Sequence, residues 1–146
     1  MTPTQSKAAD ARLEPLLGEW EVHGAHPADA SIEVRGRTSF EWLVGQQFLV
    51  QRWTVEHPDF PDGMAILGEG ETGFAQHYFD SRGVARVYAM TLSSEVWTLA
   101  RDDPSFAQRF VGDFADGGGT INGRFEKRTD GSTWELDFHL TYTRAG

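Results

Sequence analysis

The chain has 146 residues, a formal net charge of −9 and no cysteine. This length suits one domain with one core, and the acidic balance argues against nucleic acid and anionic membrane surfaces as partners, since phosphate groups require basic clusters. Without cysteine, disulfides, thiol nucleophiles and thiolate metal sites are excluded.

The N-terminal segment MTPTQSKAAD has no basic region followed by an apolar run, so its sequence is not typical of a secretory signal. No apolar stretch approaches the roughly 20 residues that span a bilayer. Together with the absence of cysteine, these features favour a cytoplasmic protein. We expect residues 1–5 to be disordered, because they are small, polar and terminal.

A short helix is expected from Ser6, a good N-cap residue, to about Glu14. At its end and in the following turn, Leu13, Leu16 and Leu17 have the spacing of one helical face. This apolar face is too small to support a helix alone. We therefore expect the helix and its following turn to cover one end of the domain.

After Gly18 the hydrophobic pattern has a period of two, which is typical of half-buried strands. Turn signals rich in Gly, Asp and Pro separate these runs, so consecutive strands should pair as antiparallel hairpins. The longer segment 25–35 contains Pro27 and is interpreted as a loop that forms a flap. The ten predicted strands are residues 19–24, 36–43, 47–56, 64–70, 74–80, 84–92, 95–101, 107–115, 119–128 and 132–143.

Ten short strands can close into an up-and-down barrel or split into a two-sheet sandwich. Because eight strands already give an interior that side chains just fill, ten strands should leave a cavity. We predict an all-β, ten-stranded antiparallel up-and-down barrel over 1–146. The alternative is a filled barrel that acts through its surface, for example as a homodimer joined along strand edges.

The last predicted strand alternates between an apolar and a polar face. Burial of apolar area, at about 25 cal/mol per Å², should turn the apolar face inward. His139 then lies on the polar outer face. The expected inward residues are Trp134, Leu136, Phe138, Leu140 and Tyr142, and the expected outward residues are Glu135, Asp137, His139, Thr141 and Thr143.

The run PLLGEW at residues 15–20 resembles the entry of lipocalin-type (calycin) barrels, where a Trp closes the floor and an Arg of the final strand packs over it. This resemblance implies that Trp20 and Arg144 form such a cation–π pair, worth on the order of 1 kcal/mol. The stretches TSFEWLVGQQFLVQRW, YFDSRGVARVY and TINGRFEKRTDGSTWELDFHLTYTR resemble the DUF1579-like uncharacterised calycin β-barrel family. That family has no assigned reaction, so the likeness implies a calycin-like barrel and no specific chemistry.

The runs LEPLLGEW and VGQQFL also resemble, more distantly, the nitrobindin-like haem barrels, whose last strand carries a proximal His. This resemblance implies haem binding through His139, with nitric-oxide or peroxynitrite chemistry, as an alternative function. Two positions depart from the family pattern: Ala25-His26-Pro27 replaces its x-Tyr-Pro element, and Leu43 replaces its His. His139 also falls on the polar face, whereas iron must be ligated from inside the pocket.

Binding of a small, mostly apolar ligand in the cavity is the function that the fold favours, and it requires no cofactor. A cofactor-free isomerase or cyclase that uses His77 as acid or base is an alternative. Arg52, Arg86 and Arg109 lie mid-strand, where an inward Arg can hold a carboxylate and an outward one is solvated. The candidate wall residues are Trp42, Trp53, His77, Tyr88, Trp97 and Tyr142.

No metal site is predicted. His23 and His26 are three residues apart and Asp29 follows, but zinc sites need three or four ligands of matched geometry. We interpret these residues as surface polar groups. The acidic pairs elsewhere lie in or near turns, where Asp hydrogen-bonds its own backbone.

Overall fold

The computed structural model describes residues 9–71, 73–129 and 133–145. Ten antiparallel strands form one closed barrel in the order β1-β10-β9-β8-β7-β6-β5-β4-β3-β2, which confirms the predicted fold. In the described part of the chain, each strand is paired on both sides. The homodimer stays a prediction. The strands are β1 (Gly18–His26), β2 (Asp29–Trp42), β3 (Phe48–Val55), β4 (Gly63–Gly70), β5 (Gly73–Asp80), β6 (Ala85–Leu92), β7 (Val96–Arg101), β8 (Ala107–Ala115), β9 (Thr120–Arg128) and β10 (Glu135–Arg144).

A short 3₁₀ helix, Ala11–Leu16, covers one end of the barrel, which we call the floor. Asp10 caps this helix, because its carboxylate accepts the backbone N–H of Arg12 at 3.1 Å. Leu13 and Leu16 are fully buried, as their spacing predicted. The expected helix start at Ser6 and the expected disorder of residues 1–5 lie outside the described residues. Among those that are described, no helix has the length and apolarity needed to cross a bilayer.

Trp20 closes the floor and is held by Arg144. The indole N–H of Trp20 donates to the carbonyl oxygen of Leu16 at 2.9 Å. The guanidinium of Arg144 lies 4.1 Å from the centre of the Trp20 ring. It also donates to two carbonyl oxygens of the N-terminal segment and to that of Gly118. The expected pairing of Trp20 with Arg144 is confirmed.

The predicted flap at residues 25–35 is instead part of a long hairpin. Strand β1 continues to His26 and β2 already begins at Asp29, with only Pro27 and Ala28 between them. Pro27 occupies the turn, where no ladder hydrogen bond is required of it, and does not interrupt either strand. The loop prediction was wrong, because a proline in a two-residue turn leaves the strand pairing on both sides intact.

A β-bulge in β10 changes which side chains face inward. The register with β9 shifts between Leu136 and Phe138, so Asp137 is an extra residue. Asp137 therefore lines the barrel interior, whereas Leu136 is 52% exposed on the outside. Trp134 precedes the strand and packs against the guanidinium of Arg109, 4.1 Å from its ring centre. The inward assignments of Leu136 and Trp134 and the outward one of Asp137 were wrong, because a bulge breaks the period of two.

Near the floor, two glycines let an aromatic ring lie against the sheet. Gly112 and Gly123 are direct cross-strand partners on β8 and β9. A Cβ atom at Gly123 would lie 2.6 Å from Cε1 of Phe110, and one at Gly112 would lie 2.9 Å from its Cζ. The Phe110 ring is only 1% exposed, so it has little room to move. This close approach requires that both positions lack a side chain.

Candidate functional site

The barrel encloses a cavity of 410 Å³ that opens at the end opposite the floor. Loop residues Pro27, Phe60, Arg82 and Phe106 lie around this mouth. The volume falls within the range of about 300–1,000 Å³ that is common for small-molecule sites. The closed floor leaves this mouth as the entry side of the cavity.

Three aromatic side chains on β3, β5 and β6 form one continuous wall of the cavity. The rings of Trp53 and Tyr78 are stacked with 5.3 Å between their centres, and Tyr78 meets Tyr88 edge-on at 6.0 Å. The indole N–H of Trp53 donates to the carbonyl oxygen of Pro61 at 3.1 Å, which fixes the ring against the β3–β4 loop. Such rings offer a flat apolar surface with little conformational freedom to lose on binding.

Polar side chains in the wall are paired with one another. The amide of Gln76 donates to Oε1 of Gln51 at 2.8 Å, and both residues are buried. The hydroxyl of Tyr88 donates to Oε1 of Gln108 at 2.9 Å, and Gln108 in turn donates to Asp137 at 3.4 Å. These contacts satisfy groups whose burial would otherwise cost about 1–3 kcal/mol each.

Two aromatic residues, Trp97 and Tyr142, lie at the deep end of the cavity. The indole N–H of Trp97 is fully buried and has no acceptor among the described residues. Its ring packs against Phe110 at 4.9 Å and Tyr142 at 6.1 Å between centres. Burial raises the pKa of the Tyr142 phenol, so this hydroxyl stays neutral at physiological pH.

At the mouth, Tyr78 is tied to a buried carboxylate. Its hydroxyl donates to Oδ2 of Asp80 at 2.6 Å, and Arg82 donates to the same oxygen at 2.7 Å. Burial alone would raise the pKa of Asp80, but hydrogen bonds from Arg82, Tyr78 and two backbone N–H groups outweigh it and hold the pKa below its usual value. Burial, and then the bond to Asp80, raise the pKa of Tyr78. Asp80 is therefore an anion and Tyr78 a neutral donor.

A second polar cluster joins the β1–β2 and β3–β4 loops. Nε2 of His26 lies 3.0 Å from Oδ2 of Asp59, Nδ1 of His57 lies 3.8 Å from that oxygen, and the candidate ligand atoms of all three residues lie within 4.8 Å of one another. However, Nδ1 of His26 accepts the backbone N–H of Ala28, and Nδ1 of His57 accepts that of Asp59. With Nδ1 accepting, the neutral rings carry their proton on Nε2. The cluster is therefore arranged as a hydrogen-bonded link between loops, with neither Nδ1 free for a metal.

The structure brings four of the six predicted wall residues to the cavity. Trp42 ends β2 near the floor and packs against the core there, outside the cavity lining. His77 faces the outer wall, because its neighbours Gln76 and Tyr78 are the inward residues of β5. An acid–base role of His77 inside the cavity therefore has no support in this geometry. The four predicted residues that line the cavity are Trp53, Tyr88, Trp97 and Tyr142.

Several wall residues were missed from the sequence. The glutamines were missed because polar residues are usually assigned to the solvent side. An inward Tyr78 would have predicted an inward Gln76, since residues two apart in a strand share a face. Nothing in the sequence indicated that His26 meets His57 and Asp59, because these residues belong to different hairpins. The wall residues missed in this way are Gln51, Gln76, Tyr78 and Gln108.

The side chains of the cavity do not fit haem. Proteins hold haem iron through His, Cys, Met or Tyr. Among the described residues, the lining contains no His and no Met, and His139 is exposed on the outer wall. The lining does contain tyrosines, but burial raises the pKa of Tyr78 and Tyr142, which disfavours the phenolate that iron binds. The hydroxyl of Tyr88, the third tyrosine of the described lining, already donates to Gln108.

Comparisons with known proteins support the fold. No protein-family model matches the sequence, and no curated protein matches it. Among solved structures, the chain is similar to Rv2717c from M. tuberculosis, with a TM-score of 0.67, 16% sequence identity and coverage of 95% of this chain and 100% of that chain. A likeness at this identity shows the barrel alone. The resemblances to the DUF1579-like and nitrobindin-like families stay predictions.

Proposed function

We propose that the protein binds a small, mostly apolar molecule inside the barrel, as a carrier or sensor. The observation that carries this proposal is the 410 Å³ cavity, which is closed at the floor and open at the opposite end. The stacked Trp53 and Tyr78 rings form one side of a site into which a flat apolar molecule can fit. The polar side chains beside them are hydrogen-bonded to one another, so an apolar guest does not strip them of partners.

The available surface is sufficient for useful affinity. A micromolar dissociation constant corresponds to about 8 kcal/mol. At about 25 cal/mol per Å², burial of roughly 330 Å² of apolar ligand surface supplies that amount before the costs of association. A two-ring molecule in the cavity would bury surface on this scale. Because the costs of association must still be subtracted, we expect dissociation constants that are micromolar or weaker.

The test uses N-phenyl-1-naphthylamine, a neutral two-ring dye that fluoresces when it leaves water. We expect saturable binding of one dye per chain. Val22 lies on the inner face of β1 and lines the cavity, so Val22→Phe should weaken the dye affinity at least about tenfold by occupying its space. Val87 is 51% exposed on β6, so Val87→Phe makes the same change outside and should leave the affinity unchanged.

Near-ultraviolet circular dichroism checks that each variant is folded. If Val22→Phe does not fold, Tyr88→Trp takes its place as the inner variant. It enlarges a side chain on β6, which lies five strands round the barrel from β1. Absence of dye binding to the wild-type protein, or equal affinity in the inner and outer variants, would refute a cavity site.

A further inference from the structure

Arg86 places a cation inside the mouth of the cavity. It lies on β6, directly opposite Tyr78 of β5, and lines the cavity. The residue is half-buried, and its guanidinium lies 5.5 Å from the centre of the Phe106 ring. Within the described part of the chain, no carboxylate forms an ion pair or hydrogen bond with it. A half-buried cation without a counter-charge is unusual in a chain with net charge −9.

The other arginines that line the cavity already have acidic partners. Arg82 is held by the buried Asp80 at 2.7 Å. Arg35 pairs with Glu33 at 3.3 Å, and Arg37 lies 3.7 Å from Glu21. The contrast shows that unpaired charge is a particular property of Arg86 and not of the mouth as a whole.

The carboxylates that line the cavity are engaged as well. Asp59 lies 3.0 Å from Nε2 of His26. Asp137 accepts the amide of Gln108 at 3.4 Å and lies 3.8 Å from the ammonium of Lys127. Among the described lining residues, Arg86 is thus the charged group that has no oppositely charged hydrogen-bonding partner.

We propose that Arg86 binds the anionic oxygen group of the ligand, so that the ligand class is a singly charged amphiphile, such as a small carboxylic acid with an apolar body. The planar guanidinium matches a carboxylate with two parallel hydrogen bonds. Tyr88 lies two residues from Arg86 on the same face of β6. This spacing places Tyr88 roughly 7 Å deeper in the barrel, measured along the strand. The carboxylate would sit at the mouth, and the apolar body would extend inward along Tyr88 and its ring neighbours.

This inference rests on the proposed function, and calorimetry separates the two. Octanoate, 1-octanol and octylamine share one tail and carry a negative, a neutral and a positive head at pH 7.5. Each is titrated into the intact protein. Because a hydrogen bond to a charged group is worth more than a neutral one, octanoate should bind about ten- to a hundredfold more tightly than octanol, and octylamine should bind most weakly.

Two variants assign the preference to one residue. Arg86→Gln should reduce the affinity for octanoate to about that for octanol, so that the preference between the two ligands is lost. Arg52→Gln is the matched control, because Arg52 is exposed on β3, pairs with Glu41 outside the barrel and carries the same charge. It should retain the full preference for octanoate.

Equal binding of octanoate and octanol to the wild-type protein would overturn the proposed anion site and leave the apolar cavity standing. A preference for octanoate that survives in Arg86→Gln would overturn the role of Arg86. If none of the three ligands bound, the cavity function and the anion site would both be refuted.

Discussion

Replacement of Arg144 by Met tests how the floor of the barrel is held closed. The guanidinium lies 4.1 Å from the centre of the Trp20 ring and donates to three backbone carbonyl oxygens, two of them before β1 and one at Gly118. It therefore connects the N-terminal 3₁₀ helix, the β8–β9 turn and the end of β10. Met preserves most of the aliphatic length and removes the charge and all donors.

The expected loss follows from these contacts. A net hydrogen bond contributes about 0.5–1.5 kcal/mol, and an exposed cation–π contact contributes about 0.5–1 kcal/mol. Because Arg144 is exposed and its contacts share one group, we take the low end of each and expect a loss of about 2 kcal/mol in the free energy of unfolding. For a chain of this size that corresponds to a fall of roughly 4–8 °C in the melting temperature.

Urea unfolding followed by tryptophan fluorescence measures the loss. Arg124→Met is the control. Arg124 lies on β9, and its acidic partner among the described residues is Glu126 at 3.7 Å; an exposed pair of this kind is worth about 0–1 kcal/mol. The cavity lies toward the other end, so dye affinity should not change in Arg144→Met. A loss no larger than that of Arg124→Met would show that Arg144 does not fasten the floor.

Three further changes probe the wall and the core. Asp80→Asn should reduce the free energy of unfolding by about 2 kcal/mol at pH 7. Because folding lowers the pKa of Asp80, the advantage of the wild type is complete above the unfolded pKa of about 3.9 and should shrink as the pH falls below that value. Urea titrations at several pH values measure this difference. Gly123→Ala should cost about 1–3 kcal/mol in thermal unfolding, because its Cβ meets Phe110 at 2.6 Å. Gln76→Leu alone leaves Gln51 unpaired and should cost about 1–3 kcal/mol, whereas the double change to Leu should recover most of that loss in a double-mutant cycle.

Each of these comparisons has an outcome that contradicts its reasoning. A pH-independent difference between Asp80→Asn and the wild type would show that the carboxylate is not the stabilising group. Gly70→Ala is the control for Gly123→Ala, because no atom lies within 4 Å of a Cβ built at Gly70; equal losses would exclude a steric cause. Additive losses in the glutamine pair would show that the two amides do not depend on each other.

The barrel and its floor could be predicted because their signals are local. Alternating apolar residues and Gly- and Asp-rich turns give the number and order of the strands without any knowledge of distant contacts. The pairing of Trp20 with Arg144 came from the resemblance to calycin barrels, and the closed sheet places the two residues directly opposite each other on β1 and β10. Local pattern and family likeness were sufficient for these features.

The composition of the cavity wall could not be predicted in the same way. The extra residue Asp137 reverses the alternation of β10 on its N-terminal side, so that Leu136 faces outward. No feature of the sequence WELDFHL indicates a bulge. Gln51, Gln76 and Gln108 face inward because each finds a partner on another strand, which the sequence of one strand does not reveal. Hydrophobic patterning therefore finds the core, whereas a polar interior depends on pairing between strands.

The same polar pairing explains why the upper half of the barrel is not filled. The bond between Gln51 of β3 and Gln76 of β5 passes over β4, where the inward residue Ala65 is small. The bond between Tyr88 of β6 and Gln108 of β8 likewise passes over β7. Both bonds run along the wall and not across the interior, so they hold long side chains against the sheet.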